Sequence, residues 1–435
     1  MPRIVYMTVS SEFIHPGILN ILEHARALGD VVVGVLTDEV IATYKRMPLL
    51  DFEARRALYA NLRGVVNVVP QTTMSYANNL QALKPDYVVH GDDWRSGVQS
   101  NIRKEVVELL AKWGGELVEV PYTVGVSSTG FEQELKAVYG SPDSRRGRLR
   151  KMLQVKPYVR VMEASNGLSG LIVENCRVED AAAGAIKEYD AMWVSSLCDS
   201  SFKGKPDIEL VDFTSRINTI NEIMEVTTKP IILDGDTGGK AEHFVYNVKT
   251  LERMGVSAVI IEDKTGLKQN SLFGTEVAQV QEDPHEFAAK IAAGKKAQRT
   301  RDFMIFARIE SLIAGKGLDD ALDRARIYLE EGDADGIMIH SKEKSGDDIA
   351  AFMERFRATY PEVPVIFVPT SYNHLTEEEL SAIGGNVIIY ANHLLRSAYP
   401  AMYRTAEKIL QVGRSKEVDD ECMSIKDVIG FIPAI

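Results

Sequence analysis

Glu262-Asp263-Lys264-Thr265-Gly266-Leu267-Lys268-Gln269-Asn270-Ser271-Leu272 follows the apolar run Ala258-Val259-Ile260-Ile261. A short apolar run bounded by charge reads as a strand buried on both faces. Three charged residues therefore stand where a strand ends. The loop after them carries a glycine, a lysine, an asparagine and a serine, suited to closing over an anion. Acids placed for a metal, followed by a cationic lid, are one way to build a phosphoryl site. A solvated charged turn would look the same, so this stretch needs its neighbours to be read.

Working outward, the pattern repeats. Pro230-Ile231-Ile232-Leu233 runs into Asp234-Gly235-Asp236, and Met304-Ile305-Phe306-Ala307 into Arg308-Ile309-Glu310. Gly336-Ile337-Met338-Ile339 runs into His340-Ser341-Lys342, Pro364-Val365-Ile366-Phe367-Val368 into Pro369-Thr370, and Val387-Ile388-Ile389-Tyr390 into Ala391-Asn392-His393. Amphipathic segments such as Asp319 to Glu331 and Gly346 to Tyr360 separate them. Strands that alternate with helices and end in polar residues describe a (β/α)8 TIM barrel, whose active face lies at the strand C-termini.

The chain has 435 residues, 45% hydrophobic and 26% charged, with a formal net charge of −12. That is ordinary for a soluble globular protein of two domains or more. The acidic excess speaks against nucleic acid as the main partner. A small anionic substrate would need a local cationic pocket. Cys176, Cys198 and Cys422 lie far apart and make neither a zinc pattern nor a disulfide framework, so a reducing cytoplasm is expected. The sequence opens on a strand, Arg3 to Met7, and shows no signal-peptide pattern and no apolar run of membrane length; no membrane partner is expected.

Residues 1–137 read as a separate Rossmann-like, doubly wound unit. Strands are expected at Ile4 to Thr8, Val31 to Leu36, Val65 to Val69 and Tyr87 to His90. Helices are expected at Ile18 to Leu28, at Asp51 to Leu62 and from Phe131. No GxGxxG and no P-loop occurs, which disfavours the dinucleotide and P-loop classes. The composition shift from Tyr139 to Gly147 marks a linker over 138–147, and 148–435 is assigned to the barrel. The basic run Arg145 to Lys151 reads as a solvated helix start, and Cys198 to Pro206 as a loop ending at Asp207.

His15-Pro16-Gly17 at the first helix start, Lys45-Arg46 after the second strand, His90-Gly91-Asp92-Asp93-Trp94, and Ser127-Ser128-Thr129 before a helix together resemble the cytidylyltransferase branch of the nucleotidyltransferase superfamily. The resemblance implies nucleotide contacts from His15, Lys45, Ser127, Ser128 and Thr129, with CTP or another nucleotide as ligand. In that family two imidazoles of a His-x-Gly-His motif stabilise charge as pyrophosphate leaves. Here the second imidazole position is Ile18, the basic residue expected after the Ser/Thr run is Gly130, and the arginine before it is Tyr122. Each lost donor of this kind costs about 10²–10³ in rate. The domain is therefore expected to be impaired as a nucleotidyltransferase.

From about 148 to 435 the chain resembles phosphoenolpyruvate mutase of the isocitrate lyase superfamily. The marks are Asn166-Gly167-Leu168-Ser169, Trp193-x-Ser195-x-Leu197, Asp207, Asp234-Gly235-Asp236-Thr237-Gly238, Glu262-Asp263-Lys264 with Lys268-x-Asn270-Ser271, Arg308-x-Glu310 and His340-Ser341-Lys342. The resemblance implies an isomerase that interconverts phosphoenolpyruvate and phosphonopyruvate with Mg²⁺ in phosphonate biosynthesis. Asp234 is expected to ligate the metal directly, with Asp236 and Glu262 binding through water. Arg308 and His340 would hold the phosphoryl or carboxylate oxygens. Ser195 with the amides of Ser196 and Leu197 would hold the pyruvate oxygens, and Trp193 would wall them. Lys268, Asn270, Ser271 and Leu272 would form the gating lid, with Asp207 in line with phosphorus.

Isocitrate and methylisocitrate lyases carry a catalytic cysteine in the lid, and residues 262–274 contain none. Phosphonopyruvate hydrolases resemble the mutase but carry threonine at the Asn270 position, so Asn270 favours the mutase. Two alternatives stay open: a phosphonopyruvate hydrolase, and a bifunctional mutase and phosphonate cytidylyltransferase. A third reading makes the first domain a non-catalytic assembly or nucleotide-sensing module. Family members are dimers or tetramers that exchange a terminal helix, which makes a homo-oligomer expected here, with Leu394 to Leu410 as the helix.

Overall fold

The computed structural model describes residues 3–44, 47–95, 99–121, 138–180, 185–266, 268–271 and 278–432. Lys45, Ser127, Ser128, Thr129, Leu272 and the helix expected from Phe131 lie outside them.

The first unit is a five-stranded parallel sheet, β1 (Ile4–Val9), β2 (Asp30–Leu36), β3 (Val65–Gln71), β4 (Tyr87–Gly91) and β5 (Glu116–Val120), in the order β3-β2-β1-β4-β5. The strand order reverses between β1 and β4, so a crevice opens at their C-terminal ends. His15 caps the helix Pro16–Leu28 beside it, and the turn Asp92–Arg95 follows β4. Strand β5 escapes the sequence reading. It is an edge strand whose Glu116 and Glu119 interrupt any apolar run, and Glu119 is held by Arg95 and Arg103 at 2.8 and 2.9 Å.

The second unit begins with β6 (Val159–Glu163). An antiparallel hairpin that the sequence reading did not anticipate follows, β7 (Arg177–Asp180) with β8 (Ala185–Glu188). Then come β9 (Ala191–Val194), β10 (Ile231–Asp234), β11 (Ala258–Glu262), β12 (Met304–Ile309), β13 (Gly336–Ile339), β14 (Val365–Phe367) and β15 (Val387–Tyr390). Eight parallel strands close in the order β10-β11-β12-β13-β14-β15-β6-β9. Side chains alternate across each strand. One parity, including Val161, Trp193, Ile232, Ile260, Phe306 and Met338, fills the barrel; the other packs under the helices. Two residues further along the inward parity stand Glu163, Ser195, Asp234, Glu262, Arg308 and His340. The core's own register thus aims the polar strand ends into one mouth.

The opposite mouth is closed by Leu149 and Met152 of the helix Pro142–Val155, joined there by Met47 from the first unit. Lys151 Nζ donates to the Leu49 carbonyl at 2.8 Å, and the Tyr139 hydroxyl to Glu12 at 2.5 Å. This helix starts inside the stretch read as linker, because Ser141 accepts from the Ser144 amide and Pro142 opens the first turn. Its basic run is solvated only at its end, where Lys151 is exposed. Arg145, Arg146 and Arg148 are buried and donate to the carbonyls of Thr227, Glu252 and Thr228 at 2.8, 3.0 and 2.8 Å. Cys198 to Pro206 is likewise no simple loop. Ser195 caps a helix, Ser196–Phe202, by accepting from the Cys198 amide.

The last barrel helix, His393–Val412, has no buried residue, and neither has the following helix Ile425–Gly430. Tyr399, Met402, Tyr403, Leu410, Ile425 and Ile429 are exposed. Glu163 anchors the helix start, accepting from the Leu395 amide at 2.6 Å. Burial pushes the Glu163 carboxyl up to about 7, against the pull of the Leu395 amide and the Cys198 thiol. Folded Glu163 thus keeps its proton up to about 7, whereas the unfolded group loses it near the usual 4.5. Its contribution to stability is full below the unfolded value and is lost as pH rises through about 7. Glu163→Gln is expected to flatten this loss by at most about 3 kcal/mol at alkaline pH. Melting temperatures of both proteins across that range check it; parallel curves would exclude the effect. Among the described residues no helix is long and apolar enough to cross a membrane.

Candidate active site

At the polar mouth of the barrel, Trp193, Ser195, Ser196, Leu197, Asp207, Asp234, Glu262, Lys268, Asn270, Ser271, Arg308 and His340 line one pocket. Gln269, Met338, Val368, Thr370, Ala391 and Asn392 complete its wall, and about 60 Å³ is free inside. That suits a compact polar molecule and is far below the several hundred Å³ of a drug-sized site. Of the expected barrel residues only Asp236 stands just behind the wall, and Leu272 is outside the described residues.

Asp234 ends β10 and accepts from the Ser196 amide at 3.1 Å and the Asp236 amide at 3.2 Å. Burial alone would raise its carboxyl. Lys268, Arg308 and Arg216 outweigh that and pull it down to about 2, so it stays ionised. Asp236 sits in the left-handed region at φ 53, sparsely populated for a residue with a side chain. Two cations hold it there: Arg216 Nη2 at 2.6 Å and Lys268 Nζ at 2.6 Å. Arg216 lies in the helix Phe213–Val226 and carries no motif, so only the folded chain brings it to the site.

Glu262 is fully buried, and burial lifts its carboxyl to about 7 in spite of Lys268, Arg308 and Lys264. Its Oε1 has no hydrogen-bond partner among the described residues, and Lys264 Nζ is 3.9 Å away. Asp207 Oδ1 is similarly orphaned, with Lys268 Nζ at 3.6 Å. Five carboxylates (Asp207, Asp234, Asp236, Glu262, Glu310) face four cations (Arg216, Lys264, Lys268, Arg308). Such a cluster repels an anion unless a further cation joins it. Hard carboxylate donors with buried orphan oxygens fit a hydrated divalent ion of the Mg²⁺ type, which keeps several waters. Among the described residues no three His, Cys, Asp or Glu side chains converge as a dry ligand set.

Arg308 ends the inward register of β12. Its Nε lies 2.5 Å from Glu310 Oε1, its Nη1 3.3 Å from Glu262 Oε2, and its Nη2 2.6 Å from Ser271 Oγ and 3.1 Å from His340 Nδ1. Nδ1 of His340 also lies 3.4 Å from Glu310 Oε1; the shorter contact comes from a guanidinium, which only donates, and favours Nδ1 as acceptor with the ring proton on Nε2. Burial lowers the His340 pKa, against the pull of Glu310, and so favours the neutral ring. Lys268 and Asn270 reach across to the segment that follows β9: Asn270 Nδ2 donates to Asp207 Oδ2 at 2.7 Å and Lys268 Nζ to Ser196 Oγ at 2.8 Å.

In the first unit, His15 stands at its helix start, where burial lowers its pKa. Ile18, at the position of the second imidazole, is 7% exposed and packs in the apolar core with Val5, Leu22 and Val33. His90 stacks on Trp94 with ring centroids 3.8 Å apart.

Comparisons with known proteins agree with this arrangement. The family model for phosphoenolpyruvate phosphomutase matches residues 149–410, and the cytidylyltransferase-like model matches 12–145. The phosphoenolpyruvate phosphomutase of Tetrahymena pyriformis is 36% identical over 284 residues, 64% of this chain and 88% of the relative. A crystal structure of phosphoenolpyruvate phosphomutase from Streptomyces platensis subsp. rosaceus superposes with a TM-score of 0.59 at 34% identity, covering 65% of this chain and 93% of that one. A phosphonopyruvate hydrolase complexed with oxalate and Mg²⁺ superposes with a TM-score of 0.57 at 33% identity, covering 65% and 93%. Closed barrel, polar mouth and matched sequence converge: the chain belongs to the phosphoenolpyruvate phosphomutase family, with a cytidylyltransferase-like domain ahead of its barrel.

Proposed function

We propose that the barrel interconverts phosphoenolpyruvate and phosphonopyruvate, moving a phosphoryl group between the enolate oxygen and C3 of pyruvate. The observation that carries this is the hydrogen bond from Asn270 to Asp207 at the wall of a small charged pocket. A phosphoryl group released there meets the enolate and not bulk water. Asp234 would hold Mg²⁺, with Asp236 and Glu262 acting through water; when bound, the ion would offset charge on the enolate and carboxylate oxygens. Ser196 gives its amide to Asp234 and so orients that carboxylate. Ser195 and the Leu197 amide face the pyruvate oxygens, and Trp193 walls them. Arg308 and the Nε2 proton of His340 grip the phosphoryl oxygens. Asp207 faces the phosphorus, and Lys268 neutralises the acids around it.

Phosphorus NMR of the protein with phosphonopyruvate and Mg²⁺ tests the reading. A phosphoenolpyruvate signal that disappears on chelation is expected. Inorganic phosphate alone would make the protein a hydrolase.

The first domain is proposed to have lost nucleotidyl transfer, because Ile18 fills a core position that an imidazole would have to leave. Pyrophosphate release from CTP and a hydroxyethylphosphonate would overturn this. The barrel is proposed to assemble as a homo-oligomer through the helix His393–Val412, whose Tyr399, Met402, Tyr403 and Leu410 side chains are exposed. Light scattering is expected to give a dimer or tetramer, and removal of residues 393–432 a monomer.

A further inference from the structure

Lys264 and Glu310 lie outside the pocket wall, yet both are buried, at 2% and 0% exposure. Lys264 has two connections to the lid. Its backbone forms an antiparallel bridge with Gln281, supported by Thr265 N to Val280 O at 2.9 Å, and so ties the two stems of the lid together. Its ammonium has three protons to give. They meet the Gln269 carbonyl at 3.0 Å, Ser271 Oγ at 2.7 Å and Glu310 Oε2 at 3.1 Å. Two of the three partners are lid residues.

Ser271 is equally saturated. Its hydroxyl donates to Glu310 Oε2 at 2.6 Å and accepts from Lys264 Nζ at 2.7 Å and Arg308 Nη2 at 2.6 Å. A hydroxyl has one proton and two lone pairs, and all are used. Glu310 spends its other oxygen on Arg308 Nε at 2.5 Å. One buried carboxylate therefore fixes both the lid serine and the arginine proposed to hold the phosphoryl group.

We infer that Lys264 and Glu310 are positioning residues that latch the lid, and that their grip on Gln269 and Ser271 decides whether the phosphoryl group reaches the enolate or water. The inference rests on the mutase reading above. When the C–P bond of phosphonopyruvate breaks, transfer of the phosphoryl group to the enolate oxygen gives phosphoenolpyruvate. Transfer to a water oxygen, with a water proton going to C3 of the enolate, gives pyruvate and inorganic phosphate. Opening the latch admits the water.

The test uses the full chain with Lys264→Met, which keeps the apolar stem and leaves Glu310 paired with Arg308, and with Glu310→Gln as a second variant should the first not fold. Two readouts are taken. Amide hydrogen exchange across residues 268–271 and 278–281 is expected to quicken about tenfold or more, while the barrel strands keep their protection. In phosphorus NMR with phosphonopyruvate and Mg²⁺, the ratio of inorganic phosphate to phosphoenolpyruvate is expected to rise about tenfold. Unchanged lid exchange overturns the latch. So does a proportional fall of both products at a constant ratio, which is what a merely structural role would give. If the unaltered protein itself releases only phosphate, the mutase reading fails, and the exchange readout alone still decides the latch.

Discussion

Arg308→Lys is expected to lower kcat/KM for phosphonopyruvate by about 10³-fold while the fold holds. The guanidinium makes four directed contacts, to Glu310, Glu262, Ser271 and His340. A lysine reaches the same region as a single point charge. It can replace the ion pairing of one carboxylate, but not the planar fork that holds Ser271 and His340 in fixed relation to a phosphoryl oxygen. His340 would also lose the donor that sets its tautomer. Alanine is less informative, because it takes one cation from the buried Glu262 and Glu310 at once, at about 3–5 kcal/mol. Steady-state kinetics beside a thermal melt check the lysine variant. Activity within tenfold of the unaltered protein, at equal melting temperature, would remove Arg308 from the proposed chemistry.

The second large effect belongs to Asp234. Asp234→Asn keeps the shape but removes a charge that three cations hold in place at every ordinary pH. Asparagine offers one carbonyl oxygen where the carboxylate accepts from both Ser196 and Asp236. One amide loses its acceptor, at about 1–3 kcal/mol. Turnover is expected to fall about 10³-fold, and the Mg²⁺ concentration for half-maximal rate to rise at least about tenfold. A magnesium titration of both proteins separates these effects. The same magnesium dependence in the two would place the ion elsewhere.

The barrel was legible because its strands are buried on both faces. Runs such as Val387-Ile388-Ile389 signal themselves, and the polar residue that follows in the inward register is then a site residue by geometry. Strand β5 and the β7–β8 hairpin were not legible, because both are partly exposed and rich in charge. The helix Ser196–Phe202 hid behind its serines, which read as loop until one of them caps the turn. Arg216, Lys264 and Glu310 illustrate a different limit. Arg216 belongs to no quoted motif and acts on Asp236, which is distant in sequence; Lys264 and Glu310 stand inside quoted motifs, but nothing local shows that they meet at Ser271. The basic run Arg145 to Lys151 misled for a related reason. Its guanidinium groups find carbonyl oxygens at chain turns some eighty to a hundred residues away, and no local pattern announces a carbonyl.

Met47 carries a consequence for the history of the chain. It belongs to the first unit by sequence and to the floor of the barrel by packing. A domain that plugs another's core is under selection as filler, whatever its own crevice does. Such selection would hold the first unit in place whether or not its crevice carries out chemistry. A barrel severed from this partner would instead have to evolve a new floor around Leu149 and Met152.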